Sequence, residues 1–397
     1  MSGRKIMLIR YIYTENPFLP GSGVKGMYKG LEVVLETASP VHIGNGSRLS
    51  PYGGYVFDEK DGIVYILDPD KVDKALNRLP EKAVDEYVEI LTAQKRTPRN
   101  FYLLKNFFSQ WKIRYQDLAM ASVRTDANIK NEEIHQMIKS GTRPYIPGSS
   151  IKGAIRTALI YSHLKEGGYT VEQALSTINK PRGFYNGSEI FGVSDKDILK
   201  YLHVSDTNLL APDEVGIVKT VRFHLKKKKT GIPITKEVIP EKKKLYFRLQ
   251  TKADASKNLH ENFSYLYSRE DFQGEKDILY RVNQFTKDLL ESELDLFKRY
   301  ISGMNGLISF YEKLLAAAKT FEKEKNGAVM RIGSGKTFYD NTVTKLLSDR
   351  EIQKIAKSVF KKVDHPFPVE RTVIDGGNLF DATLGWVFLH IKLNGAE

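Results

Sequence analysis

The chain has 397 residues and no cysteine, and its 61 Lys+Arg against 48 Asp+Glu give a formal net charge of +13. Disulfides and thiolate metal sites are excluded, and no apolar run approaches the ~18 residues that a bilayer span needs. Ile6 to Ile9 are apolar after Arg4 and Lys5, but the small-residue cleavage pattern of a signal peptide is missing. The expectation is a soluble, cytoplasmic protein of two or three domains at roughly 150 residues each, with no membrane association.

The surplus charge is concentrated. Residues 219–252 hold twelve Lys/Arg against two acids, Glu237 and Glu241, a local excess of ten. Such a patch points to a polyanionic partner, nucleic acid before anionic membrane.

In chain order, residues 1–30 read as a leader with no assignable role. Within it Phe18 to Gly26 echoes the later Tyr145 to Gly153, with Lys29 where Arg156 falls. Residues 31–37 read as a strand ending before Pro40, followed by the glycine turn His42-Ile43-Gly44-Asn45-Gly46. Strands at 54–58 and 63–67 are joined by the turn Glu59 to Gly62. The strand around Tyr52 to Phe57 lacks the leading basic residue of an aromatic RNA-recognition strand and reads as an ordinary edge. Helical patterns start at Asp68-Pro69-Asp70 and run to about residue 139, the longest over Phe101 to Ala121. This block reads as a helical insertion.

The segment Tyr145-Ile146-Pro147-Gly148-Ser149-Ser150-Ile151-Lys152-Gly153-Ala154-Ile155-Arg156 is a tight turn entering a helix. Ser149 or Ser150 can cap it, and the free N–H groups beneath form a ready anion site. Ile151, Ala154, Ile155, Ala158 and Leu159 make the buried stripe, with Lys152 and Arg156 on one flank. The plain alternative is a capped helix with two solvated cations. A short strand with the turn His203 to Thr207 follows, and Asp195, Asp197 and Asp206 read as caps.

The basic segment reads as a hairpin over 217–252. Val221, Phe223 and Leu225 alternate with Arg222, His224 and Lys226, and Leu245, Phe247 and Leu249 alternate with Lys244, Tyr246 and Arg248. With Lys226, Lys227, Lys228 and Lys229 in the connecting loop, it would lie along a nucleic-acid backbone while Tyr246 stacks on bases. Helices follow at 275–300 and 304–324, then Arg331-Ile332-Gly333-Ser334-Gly335-Lys336-Thr337, a helix to about 361, and a last strand at Leu384 to Ile391.

Gly333 to Thr337 looks like the end of a P-loop, but the leading glycine position is Met330, so an NTPase is rejected. The turn can still admit an RNA backbone to its N–H groups, with Arg331 and Lys336 alongside. The eight histidines form no metal constellation, no Ser/His/Asp arrangement is defensible, and no cofactor is expected. His42 beside Gly44 reads as a backbone contact or a general base, against the commoner structural role.

The ordered motifs resemble the RAMP superfamily of CRISPR-associated RNA-binding proteins. They are Pro40 to Gly46, Tyr145 to Arg156, Val204-Ser205-Asp206, Arg331 to Lys336 and Leu384-Gly385-Trp386-Val387. The spacing is most similar to the subunit that caps the crRNA 3′ end of the type III-A Csm effector complex. The resemblance implies an α+β chain with two ferredoxin-like, RRM-type domains around a protruding basic β-hairpin thumb. We divide it at 31–212, with the helical insertion at about 68–140, and 213–397, with the hairpin at 217–252 and the glycine loop at 331–337. It implies a non-catalytic subunit that binds guide RNA near its 3′ end, caps the backbone filament and supports crRNA 3′ maturation through recruited host nucleases. Its partners would be crRNA, target RNA in the guide–target duplex and other Csm subunits. Carried over, the RNA contacts are Gly148, Ser149, Ser150, Lys152, Arg156, Gly333, Gly335 and Lys336.

Three alternatives stand beside this. One is a metal-independent endoribonuclease of the crRNA-processing branch with His42 as base, although about sixty residues follow the glycine loop here where that branch has it near the C-terminus. Another is a Cmr-type subunit of a type III-B complex. The third is a module whose basic hairpin docks an acidic protein.

Overall fold

The computed structural model describes residues 30–93, 103–129, 132–166, 191–192, 197–251, 274–301, 303–359, 366–376 and 380–392. The leader motif Phe18 to Gly26, Lys29, Asp195 and Lys252 lie outside them.

Fifteen strands and seven α-helices alternate along these residues, an α+β chain. The first sheet has five strands in the order β13 (Gly327–Arg331), β15 (Trp386–Ile391), β1 (Leu31–Thr37), β12 (Lys244–Thr251), β9 (Leu202–Val204), all antiparallel. On β1 the period of two buries Val33, Leu35 and Thr37 and leaves Glu32 outside. The predicted stripe of α4 (Gly148–Glu166) covers that face. Ile151, Ile155, Ala158 and Leu159 are buried in one core with Val33, Leu35, Leu245, Phe247 and Leu249, with Ala154 partly buried beside them. Helices α5 (Glu275–Tyr300) and α6 (Asn305–Glu324) follow the predicted spans and share a second core with Trp386 and Val373.

The second sheet runs β14 (Glu370–Ile374), β10 (Gly216–His224), β11 (Ile234–Val238), β6 (Ile134–Met137), β2 (Gly44–Leu49), with β11 and β6 parallel. The third is β3 (Tyr55–Asp58), β4 (Ile63–Leu67), β5 (Ala119–Arg124), in which β3 is an edge as expected. Its partner core comes from α1 (Pro69–Leu76), α2 (Glu81–Ala93) and α3 (Leu103–Gln110). Asp68 caps α1 by accepting from the Asp70 and Lys71 N–H groups, and Pro69 takes the first helical position.

Two expectations need correction. The helical pattern read to residue 139 ends at Gln110, and β5 and β6 follow. Residues 119–124 bury every second side chain poorly, so their strand character comes from pairing with β4 rather than from a strong apolar period. The second concerns the basic hairpin. β10 and β12 do not pair: β10 turns back into β11, Gly216 opposite Val238, while β12 lies between β1 and β9 in the other sheet. Both strands alternate as read, but alternation specifies a buried face and not a partner. The first sheet therefore takes β1 and β9 from before residue 213 and β12, β13 and β15 from after it.

Candidate nucleic-acid interface

The two sheets are joined where β1 passes into β2 and β11 into β12. Val41 and Ile239 exchange backbone hydrogen bonds of 2.9 and 2.8 Å at this crossing. The glycine turn after β1 and the glycine loop after β13 meet here. Ser334 N–H donates to the His42 carbonyl at 2.8 Å, and Gly385 N–H to the Pro40 carbonyl at 3.0 Å. Gly333 and Gly335 adopt φ of +70° and +89°, and a β-carbon on Gly333 would collide with the His42 carbonyl oxygen. Two motifs distant in sequence thus form one structural joint.

His42 supplies that joint from inside. The residue is 5 % exposed, and Nδ1 donates to the Glu237 carbonyl at 2.6 Å. Burial, with the nearby Lys236 and His135 adding to it, lowers the imidazole to about 4. The ring is neutral at pH 7 and is a weak base there, so the roles of RNA contact and general base give way to a structural one. Gly44 opens β2 on the surface.

Arg331 is also corrected. It is 6 % exposed, with Nε on the Leu384 carbonyl at 3.1 Å, Nη1 on Asp340 at 2.8 Å and Nη2 on the Gly335 carbonyl at 2.8 Å. Its guanidinium also lies 5.0 Å from the Trp386 ring centre. It fixes the glycine loop from beneath instead of facing a ligand. Lys336, at the outer end of the loop, is half-buried, and burial lowers its ammonium.

At the start of α4 the expected anion site is partly taken. Gly148 N–H donates to Asp206 Oδ1 at 2.7 Å, which makes Asp206 the capping carboxylate read for it. Gly148 is buried against Val204 and Ser205, where no β-carbon fits. Ser149 is exposed and Ser150 half-exposed. Lys152 reaches the Leu202 carbonyl at 2.8 Å, and burial lowers its ammonium. Arg156 pairs with Asp197 at 2.6 Å and stacks on Phe191 at 4.5 Å. Asp197 caps the turn Ile198–Tyr201, as read. Both cations are thus engaged with the protein's own groups.

The open cations lie at the β10–β11 turn. Residues 226–234 are exposed, Lys228 takes φ +50°, and Ile232 is 87 % exposed at the same tip. Among the described residues, Lys226, Lys227, Lys228 and Lys229 meet no carboxylate. Arg222 is exposed and loosely faces Glu370 at 3.8 Å. Tyr246 is 50 % exposed on β12, in the other sheet from the lysine tip, so the two do not share a strand pair.

One residue of this region was passed over. Lys236, on β11, is 8 % exposed and donates to Ser334 Oγ at 2.6 Å. Burial, with the Arg222 charge adding to it, lowers its ammonium. Little in the sequence separates it from the neighbouring lysines: Thr235 precedes it and Glu237 follows it in the strand.

No described helix is long and apolar enough to cross a membrane. Among the described residues no group of three or more His, Asp or Glu is placed to hold a metal ion.

Comparison with known proteins fits this architecture. The chain is 27 % identical over 410 residues to the CRISPR system Cms protein Csm5 of Methanocaldococcus jannaschii, covering 96 % of this chain and 93 % of that protein. The Streptococcus thermophilus protein of the same name is 24 % identical over 363 residues, 86 % of this chain and 92 % of its own. A subunit in the cryo-EM structure of a Csm–crRNA–target RNA ternary complex of a type III-A system superposes with a TM-score of 0.70 at 22 % identity. That match covers 91 % of this chain and all (100 %) of the subunit. Crystalline T. onnurineus Csm5 gives 0.63 at 22 % identity, over 89 % of this chain and 99 % of that one. Residues 34–338 match the RAMP superfamily family model, which takes in part of β1, all of α4 and the glycine loop, and the chain belongs to that superfamily.

Proposed function

We propose that this protein is the RNA-binding, Csm5-type subunit of a type III-A Csm effector complex. It binds guide RNA near its 3′ end, caps the backbone filament and supports 3′ maturation by recruited nucleases without chemistry of its own. Guide RNA, target RNA paired with it and neighbouring Csm subunits are its partners. The end-to-end match to proteins named Csm5 supports the subunit assignment over a Cmr one. The observation that carries RNA binding is the exposed lysine tip at 226–229, which meets no carboxylate among the described residues and belongs to the sheet whose β11 reaches the glycine loop.

The strand order also supports a ferredoxin-like unit. In the first sheet β15, β1, β12 and β9 stand side by side, the spatial order of a βαββαβ unit whose helices are α4 and the α5–α6 pair. β13 is an added edge. The second sheet is the more divergent counterpart, and the β10–β11 hairpin is the thumb, in place of a β10–β12 pair.

Affinity from phosphate contacts weakens steeply with salt and shows little sequence preference. Fluorescence anisotropy of the full chain with unrelated single-stranded RNAs, over a range of salt, tests this. A steep negative log–log slope shared by all sequences is expected. A slope near zero contradicts the reading, and site-specific cutting of repeat RNA in EDTA that is lost in His42→Ala replaces it with the endoribonuclease.

A further inference from the structure

One face of the second sheet carries a line of basic residues that leads from its exposed β2 edge to the glycine loop. Arg48 on edge strand β2 stands opposite His135 on β6, and His135 opposite Lys236 on β11. Residues in register across neighbouring strands project to the same side. Lys236 is opposite Val218 on β10, and Arg222 lies two full pleats further along that strand, on the same side again. The opposite side carries Ile134, Ile217, Val221 and Phe223, which are buried in the cores.

Lys236 is the unusual member. The residue is 8 % exposed, and Ser334 Oγ at 2.6 Å is its one hydrogen-bond partner among the described residues. A buried cation without a counter-charge is costly. Arg222 and His135 beside it add to that cost, since neither offers a negative charge. Two carboxylates described on this face are engaged at its margins, Glu133 with Arg48 at 2.7 Å and Glu370 with Arg222 at 3.8 Å. Lys336, two residues from Ser334 at the end of the same loop, is half-buried, and the Asp340 carboxylate acts on it instead. Among the described residues the Lys236 ammonium therefore holds one hydroxyl and meets no carboxylate.

We propose that Lys236, held by Ser334, binds a phosphate of single-stranded RNA, and that His135 and Arg48 carry the adjoining backbone across the sheet to its β2 edge. This rests on the RNA-binding reading and adds a second contact strip to the lysine tip. A sugar–phosphate strand fits better than a compact anion because the basic positions continue over three adjacent strands instead of closing around one point.

The test uses the full chain and a fluorescent oligouridylate, with affinity measured over a salt series for wild type, Lys236→Met, Arg48→Gln and Ser334→Ala. Each charge removal is expected to make the log–log slope shallower by about 0.7, which is about fivefold in affinity at about 0.1 M salt. Ser334→Ala removes no charge and is expected to leave the slope unchanged. Should Lys236→Met fail to fold by thermal melting, the exposed Arg48→Gln decides the matter. A steep wild-type slope that Lys236→Met and Arg48→Gln both leave unchanged overturns this strip while the RNA-binding reading stands. A flat wild-type slope defeats that reading itself.

Discussion

The His42 carbonyl accepts the Ser334 N–H at 2.8 Å, and through that bond the turn after β1 and the loop after β13 become a single joint between the two sheets. Gly333 makes the approach possible. With φ +70° and no room for a β-carbon, Gly333→Val is expected to destabilise by about 1–3 kcal/mol from backbone strain alone. Urea melts measure this, and an unchanged midpoint would show that the joint yields freely.

The buried imidazole of His42 makes stability depend on pH. Its value in the fold, about 4, lies below the ordinary 6.5, so between those limits the unfolded chain binds the extra proton. Stability from this group is complete above pH 6.5 and declines as pH falls toward 4, by about 3 kcal/mol in all at ~1.4 kcal/mol per pH unit. Lys236 and His135 face the ring and oppose its protonation in the same direction. Comparing wild type with His42→Gln isolates the contribution: the variant should lose less stability between pH 6.5 and 4 than the wild type does.

Arg331 and Asp340 are both nearly inaccessible and bonded at 2.8 Å. Arg331→Met leaves the Asp340 carboxylate buried and unpaired, at an expected cost of about 3–5 kcal/mol. Adding Asp340→Asn is expected to recover part of that loss. Denaturation midpoints of the two variants check it, and equal midpoints would mean that the carboxylate needs no partner.

The lysine tip behaves in the opposite way. Replacing Lys226, Lys227, Lys228 and Lys229 with glutamate removes no internal contact, so stability is expected to change by no more than about 0.5 kcal/mol per site. RNA retention on a filter is expected to be abolished. Full retention would assign the tip to a protein partner.

The sequence was most legible where one face of an element is buried. The α4 stripe, the period of β1 and the Asp68 cap can each be read locally, because burial against a neighbour leaves a regular pattern whatever that neighbour is. Strand partnership was not legible. β10 and β12 have matching alternation, yet β11 intervenes, and its five residues include a buried lysine and a buried glutamate that disguise a strand as a charged loop. The cations show the same difficulty. A run such as 226–229 looks alike to Lys236 and Arg331 in sequence, and only the fold distinguishes a solvated charge from one held by Ser334 or Asp340. The two glycine motifs were read as separate contacts because nothing local reveals the bond between His42 and Ser334.

Crosslinking mass spectrometry on the RNA-bound full chain tests the central claim most directly. Crosslinked peptides are expected to contain 226–229 and 333–336, with Lys236 or Arg48 alongside. Crosslinks confined to other surfaces, with those segments unmodified, would contradict the account.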